Sequence, residues 1–142
     1  MTLRALFLAM ACLIAAPGHQ ALAHGDGAPQ PVDTTGLTPL GDDWRVTNPY
    51  REAGPEHDRA IEIGARGYNS NCARCHGLDV KSGGMAPDLR LLGETEMDDA
   101  WFTSRVLGGA KTGDSVKMPP FDGLLSQEAI WAIRTYIDAQ SE

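Results

Sequence analysis

Cys72-Ala73-Arg74-Cys75-His76, two cysteines three positions apart with a histidine directly behind them, constrains this chain more than any other feature. On a helical turn, thiols at i and i+3 share a face and can reach the two vinyl groups along one edge of a porphyrin. The histidine that follows is thereby swung beneath the iron as a proximal ligand. The pattern is that of covalent haem attachment. Other uses of the pair fit less well. A thioredoxin-like redox pair needs a strand-helix-strand setting, and the residues before Cys72 read as a helix. A zinc site needs four ligands, and only His24 and His57 remain as histidines outside the N-terminal leader. A plain disulfide leaves His76 without a purpose.

The compartment implied by the N-terminus agrees. Arg4 precedes an apolar run over residues 5–16, Pro17-Gly18 break it, and Ala21-Leu22-Ala23 has the small-x-small pattern cut by signal peptidase. The expectation is a cleaved signal peptide over residues 1–23, a mature chain starting at His24, and export to the periplasm. An uncleaved anchor is disfavoured, because the run falls short of the roughly 20 residues of a bilayer span. Nothing later resembles a span, so no stable membrane insertion is expected. Cys12 is a poor lipoprotein site, since Ala9 stands where a larger aliphatic is wanted. Once the leader is gone only Cys72 and Cys75 remain, too few for a disulfide framework. The formal charge of −7 becomes one unit more negative with the loss of Arg4. Such an acidic surface argues against nucleic acid or an anionic membrane as partner.

Residues 24–54 are rich in Gly, Pro, Asp and Thr and read as an extended arm. The part before Leu37 is expected to be mobile. The part after it is expected to pack through Leu37, Leu40, Trp44, Val46 and Tyr50. A haem domain follows over 55–142. Pro55, Glu56 and Asp58 open a helix, and Ile61, Gly64, Ala65, Tyr68, Cys72 and Cys75 form one stripe along it. Residues 77–93 read as a long loop with a turn near Asp88 to Leu92. Residues 95–107 form a second helix stopped by Gly108-Gly109, and 111–121 a second loop. Ser126 caps a last helix whose buried stripe is Ala129, Ile130, Ile133, Tyr136 and Ile137. No convincing strand is seen. Three helices with two long loops make a small core, and a bulky apolar cofactor between them would supply the missing volume.

Iron held this way takes methionine, histidine or nothing as its second axial ligand. Met97 lies early in a helix and is read as a packing residue. Met85 is only nine positions past His76, a short tether for reaching the other haem face. Met118 has enough chain before it to wrap the ring, and Pro119-Pro120 stiffen its backbone. Met118 is therefore the expected ligand.

With these residues in place, the chain resembles a class I cytochrome c over residues 56–140: an all-α, cytochrome c-like fold of three main helices and long loops around one covalent haem c. The resemblance implies that Gly64 lets the first helix cross closely over the last, against Tyr136. It implies that the Pro87 carbonyl accepts the His76 Nδ1–H, and that Arg90 and Trp101 reach the haem propionates. A narrower likeness covers residues 44–51, 71–78 and 83–90, including Trp44-Arg45-Val46-Thr47-Asn48-Pro49-Tyr50-Arg51. These segments are similar to the periplasmic cytochrome acceptors of PQQ-dependent alcohol dehydrogenases. The likeness implies a quinoprotein alcohol dehydrogenase as electron donor, with a downstream cytochrome or terminal oxidase as acceptor. Arg74, Lys81, Lys111 and Lys117, in or beside the haem-binding segments, would form a small basic collar for brief encounters. The alternatives are a general periplasmic shuttle, a ligand-binding or peroxidase protein with an open iron, and a thiol redox protein.

Overall fold

The computed structural model describes residues 28–141. The expected signal peptide and the residues just after it lie outside that range. Three main helices, one single-turn helix and a short hairpin make up the regular structure: α1 Pro55–Asn71, α2 Ala73–His76, α3 Glu96–Gly108, β1 Ala110–Thr112, β2 Ser115–Met118 and α4 Gln127–Asp138. Two further turns of 3-10 helix lie at Leu78–Val80 and Leu89–Leu91. No described helix is long and apolar enough to cross a membrane.

Each main helix starts where local chemistry says it should. Pro55 sits in the first turn of α1, where its missing N–H costs nothing, and Glu56 and Asp58 face the positive helix end. Thr95 and Asp98 cap α3 reciprocally, each side chain bonding the other's backbone N–H. The Ser126 hydroxyl accepts from the Ala129 N–H at the start of α4. The first helix does not run unbroken into the cysteine pair. It stops at Asn71, and the chain re-enters helix only for Ala73–His76.

α1 crosses α4 at Gly64. A Cβ there would overlap the Ala132 carbonyl oxygen and press on the Tyr136 side chain, so only glycine allows this approach. Tyr68 and Tyr136 then meet with ring centroids 5.5 Å apart, a tilted contact of the kind aromatic rings prefer. The buried face of α1 is Ala60, Ile63, Gly64, Gly67 and Tyr68. It is turned from the expected stripe, leaving Ile61 and Ala65 half-buried, because the arm also covers this helix.

The arm explains most of what the helical periodicity does not. Packing begins before Leu37: Val32 touches the core, and Gln30 and Asn71 exchange hydrogen bonds. Leu37 and Tyr50 are buried, whereas Trp44 and Val46 stay exposed. The Leu40 and Arg45 N–H groups donate at 2.7 Å to Glu128 and Gln127 on α4. Covered by the arm, α1 and α3, α4 is buried around nearly its whole circumference, including Trp131, Ala132, Arg134 and Thr135. Two apolar clusters result. One lies between arm, α1 and α4, and the larger one, built on Phe102, Val106, Phe121, Ile130 and Ile133, surrounds the cavity.

The loop expected over 111–121 contains an antiparallel hairpin, with Ala110 opposite Met118 and Thr112 opposite Ser115. Its strands are three and four residues long and almost wholly exposed. They carry no alternation for sequence reading to detect. The signal that was there is Gly113-Asp114, a two-residue turn with Gly113 at φ +57°.

Candidate functional site

A cavity of about 310 Å³ opens beside the cysteine pair. α1 and α2 contribute Asn71, Cys72, Cys75 and His76, and the following loop contributes Met85, Ala86, Pro87 and Leu89. α3 adds Trp101, Phe102, Arg105 and Val106; the hairpin adds Ala110, Lys117 and Met118; Phe121, Ile130 and Ile133 close the wall. The lining is mainly apolar, with a few polar groups at fixed places, as cofactor pockets are.

Cys72 and Cys75 line the cavity as unpaired thiols. Burial, with Cys75 beside it, pushes the Cys72 thiol up to about 12. The His76 Nδ1–H donates to the Pro87 carbonyl at 2.9 Å, which leaves Nε2 as the unprotonated nitrogen. Behind the histidine, the turn is fixed by the buried Tyr68, whose hydroxyl donates to the Gly77 carbonyl at 2.8 Å. Gly77, at φ +85°, packs so closely on the Lys81 carbonyl that no side chain fits. These features fit a haem joined to both cysteines and ligated by His76.

The three methionines are separated by the structure. Met97 is 81% exposed and away from the cavity, so it does not pack as expected; its place on the outer side of α3 is the reason. Met85 touches the cavity but is 78% exposed. Met118 is half-buried in the wall, with Pro119 beside it.

Of the residues expected at the propionates, Trp101 lines the cavity and Arg90 does not. The Arg90 guanidinium is engaged by Asp88 through bonds of 3.0 and 2.7 Å, and this pairing holds the Asp88 carboxyl below the usual carboxylate range. Arg105 stands at the cavity instead, its guanidinium 5.4 Å from the centre of the Trp101 ring. It lies one helical turn after Trp101, a spacing that puts both on one face of α3 and that sequence reading passed over.

A buried ionic cluster was also missed. Asp99 has no exposed surface and takes bonds from Arg51 (2.7 and 2.9 Å), Arg134 (3.1 Å) and the Asn48 N–H (2.9 Å). Arg134 also donates to the Gly93 carbonyl and lies 5.5 Å from the Phe102 ring, on the cavity wall. The cluster thus ties the arm, α3 and α4 together just behind the site.

Comparison with known proteins agrees with this geometry. Residues 59–137 match the family model described as cytochrome c oxidase, cbb3-type, subunit III. The chain is 58% identical over 119 residues to cytochrome c550 of Pseudomonas aeruginosa, covering 84% of this chain and 82% of that protein. It is 34% identical over 93 residues to quinohaemoprotein alcohol dehydrogenase ADH IIB of Pseudomonas putida, covering 66% of this chain but only 12% of the dehydrogenase. A similar segment, 32% identical over 90 residues, occurs in the dehydrogenase subunit of the quinone alcohol dehydrogenase of Acetobacter aceti, again 12% of its length.

Proposed function

The chain belongs to the cytochrome c family, and from that premise we propose a periplasmic one-electron carrier that is reduced by a PQQ-dependent alcohol dehydrogenase and hands its electron to a further cytochrome or a terminal oxidase. The observation that carries the reading is one apolar cavity gathering two unpaired thiols, an oriented histidine and a half-buried methionine. Support for the donor comes from the quinohaemoprotein alcohol dehydrogenases, which contain a segment similar to this chain.

Covalently bound haem c, one per chain, would supply an iron that changes oxidation state by one electron. Cys72 and Cys75 tether it through thioether bonds. His76 would hold the iron through Nε2, and its bond to Pro87 fixes the ring and raises its basicity. Met118 would be the second residue to hold it, and a methionine ligand raises the reduction potential. Phe102, Val106, Phe121, Ile130 and Ile133 exclude water, and a low dielectric disfavours the more highly charged oxidised form. Trp101 and Arg105 offer the N–H donors for the propionate carboxylates. A two-electron quinone donor then needs two encounters per turnover, which suits brief contacts better than a stable complex.

The test is to mix the oxidised protein with a PQQ-dependent alcohol dehydrogenase of the same organism and follow haem reduction after adding alcohol. Fast, alcohol-dependent reduction that slows at high salt is expected. Reduction no faster than that of an unrelated cytochrome would contradict the proposed donor.

A further inference from the structure

We infer that Gly109 is a positioning residue for the Met118 thioether, an inference that rests on Met118 being the axial ligand. α3 ends at Gly108, and Gly109 follows with φ +70°. A Cβ at Gly109 would lie 2.5 Å from the Met118 carbonyl oxygen, 2.9 Å from the Pro120 nitrogen and 3.0 Å from the Pro119 carbonyl carbon. All three neighbours are backbone, so no rotamer change could relieve the overlap. The end of α3 is therefore seated directly on the segment that carries the ligand.

That segment has few other restraints. Pro119 and Pro120 have no N–H, so no backbone donor lies between Met118 and Phe121. The nearest fixed points are the last turn of α3 and the first residue of β1. The Phe121 N–H donates to the Val106 carbonyl at 3.0 Å, and Met118 pairs with Ala110 at an irregular point of the hairpin ladder. Arg105, on the cavity wall, donates to the Gly109 carbonyl at 3.2 Å. Gly109 is thus where the helix that carries Trp101 and Arg105 meets the backbone of Met118. Any side chain there must move the Met118 carbonyl, and the sulfur with it.

The neighbouring glycine supplies the control. A Cβ at Gly108 meets nothing within 4 Å, and that residue is helical. Ferric holo-proteins carrying Gly109→Ala, Gly108→Ala or Met118→Ala would be compared by the thioether-to-iron charge-transfer band and by titration with imidazole, which competes with methionine for the iron. Met118→Ala is expected to abolish the band. Gly109→Ala is expected to weaken it and to raise imidazole affinity roughly tenfold, as overpacking strain is released by loosening the ligand. Gly108→Ala is expected to behave as the parent. At φ +70° and ψ −161° the backbone is one that only glycine adopts freely, asparagine included, so Gly109→Asn should follow Gly109→Ala. A band lost in Met118→Ala but unchanged in both Gly109 variants overturns the role of Gly109. A band that survives in Met118→Ala overturns the ligand assignment itself. Failure of both Gly109 variants to accumulate, beside a normal Gly108→Ala, assigns Gly109 to folding and likewise overturns the inference.

Discussion

Asp99 and Arg134 have no exposed surface and are bonded to each other, so neither charge could be buried alone. Burial by itself would raise the Asp99 carboxyl. Its bonds from Arg51, Asn48 and Arg134 outweigh that and hold it below the usual range. Asp99→Asn leaves Arg51 and Arg134 with Asp138, 3.3 and 2.9 Å away, as their shared carboxylate, and should cost about 3 kcal/mol, the low end for a broken buried pair, in denaturant unfolding at pH 7. The sign with pH follows from the depressed carboxyl. Its contribution is fully present above the unfolded value near 3.8 and is lost as pH falls through the lower folded value. The stability gap between parent and Asp99→Asn should therefore close only in strong acid. Cys72 makes the opposite case, a sulfur kept neutral by burial. In the haem-free chain burial leaves little of it as thiolate at pH 8. Iodoacetamide should alkylate it slowly in the folded state and rapidly after unfolding. Partnerships such as that of Asp99 with Arg134 were not legible in the sequence, because 35 positions separate the partners and nothing local marks either one as buried.

At the scale of elements, what was legible is what local chemistry decides. The last helix starts behind the Ser126 cap that the sequence marks, α3 lies where the second helix was read, and the fold is the helical one that the residues and their resemblance suggest. What was not legible depends on a second surface. The stripe read for α4 holds five residues, yet Arg134, Thr135 and Trp131 are buried as well, because the arm closes over the other side. The hairpin after α3 escaped for a similar reason, being set by backbone pairing rather than by a pattern of side chains. The close crossing of α1 on α4 gives a direct check. Gly64→Ala would drive a methyl group into the Ala132 carbonyl. It should destabilise the fold by at least about 2 kcal/mol in a thermal or denaturant melt, despite the better helix propensity of alanine.

The whole molecule is acidic, with a formal charge of −7, yet Arg105 and Lys117 stand at the cavity and Arg74, Lys81 and Lys111 are exposed. Half-exposed Trp101 and exposed Met85 supply apolar surface among them. On the proposed function, Arg105 and Lys117 beside Trp101 and Met85 would steer a donor briefly to the cavity rather than hold it. Lys111→Glu should slow reduction by the dehydrogenase roughly tenfold at low salt, with the difference fading as salt screens the field. Stopped-flow rates at several ionic strengths would read it. The central claim, that the cysteine pair serves an electron carrier, is tested most directly by a spectroelectrochemical titration of the purified protein. A single reversible one-electron wave in the haem bands is the result this account predicts. A two-electron wave without a haem spectrum would make Cys72 and Cys75 a thiol-disulfide couple and contradict it.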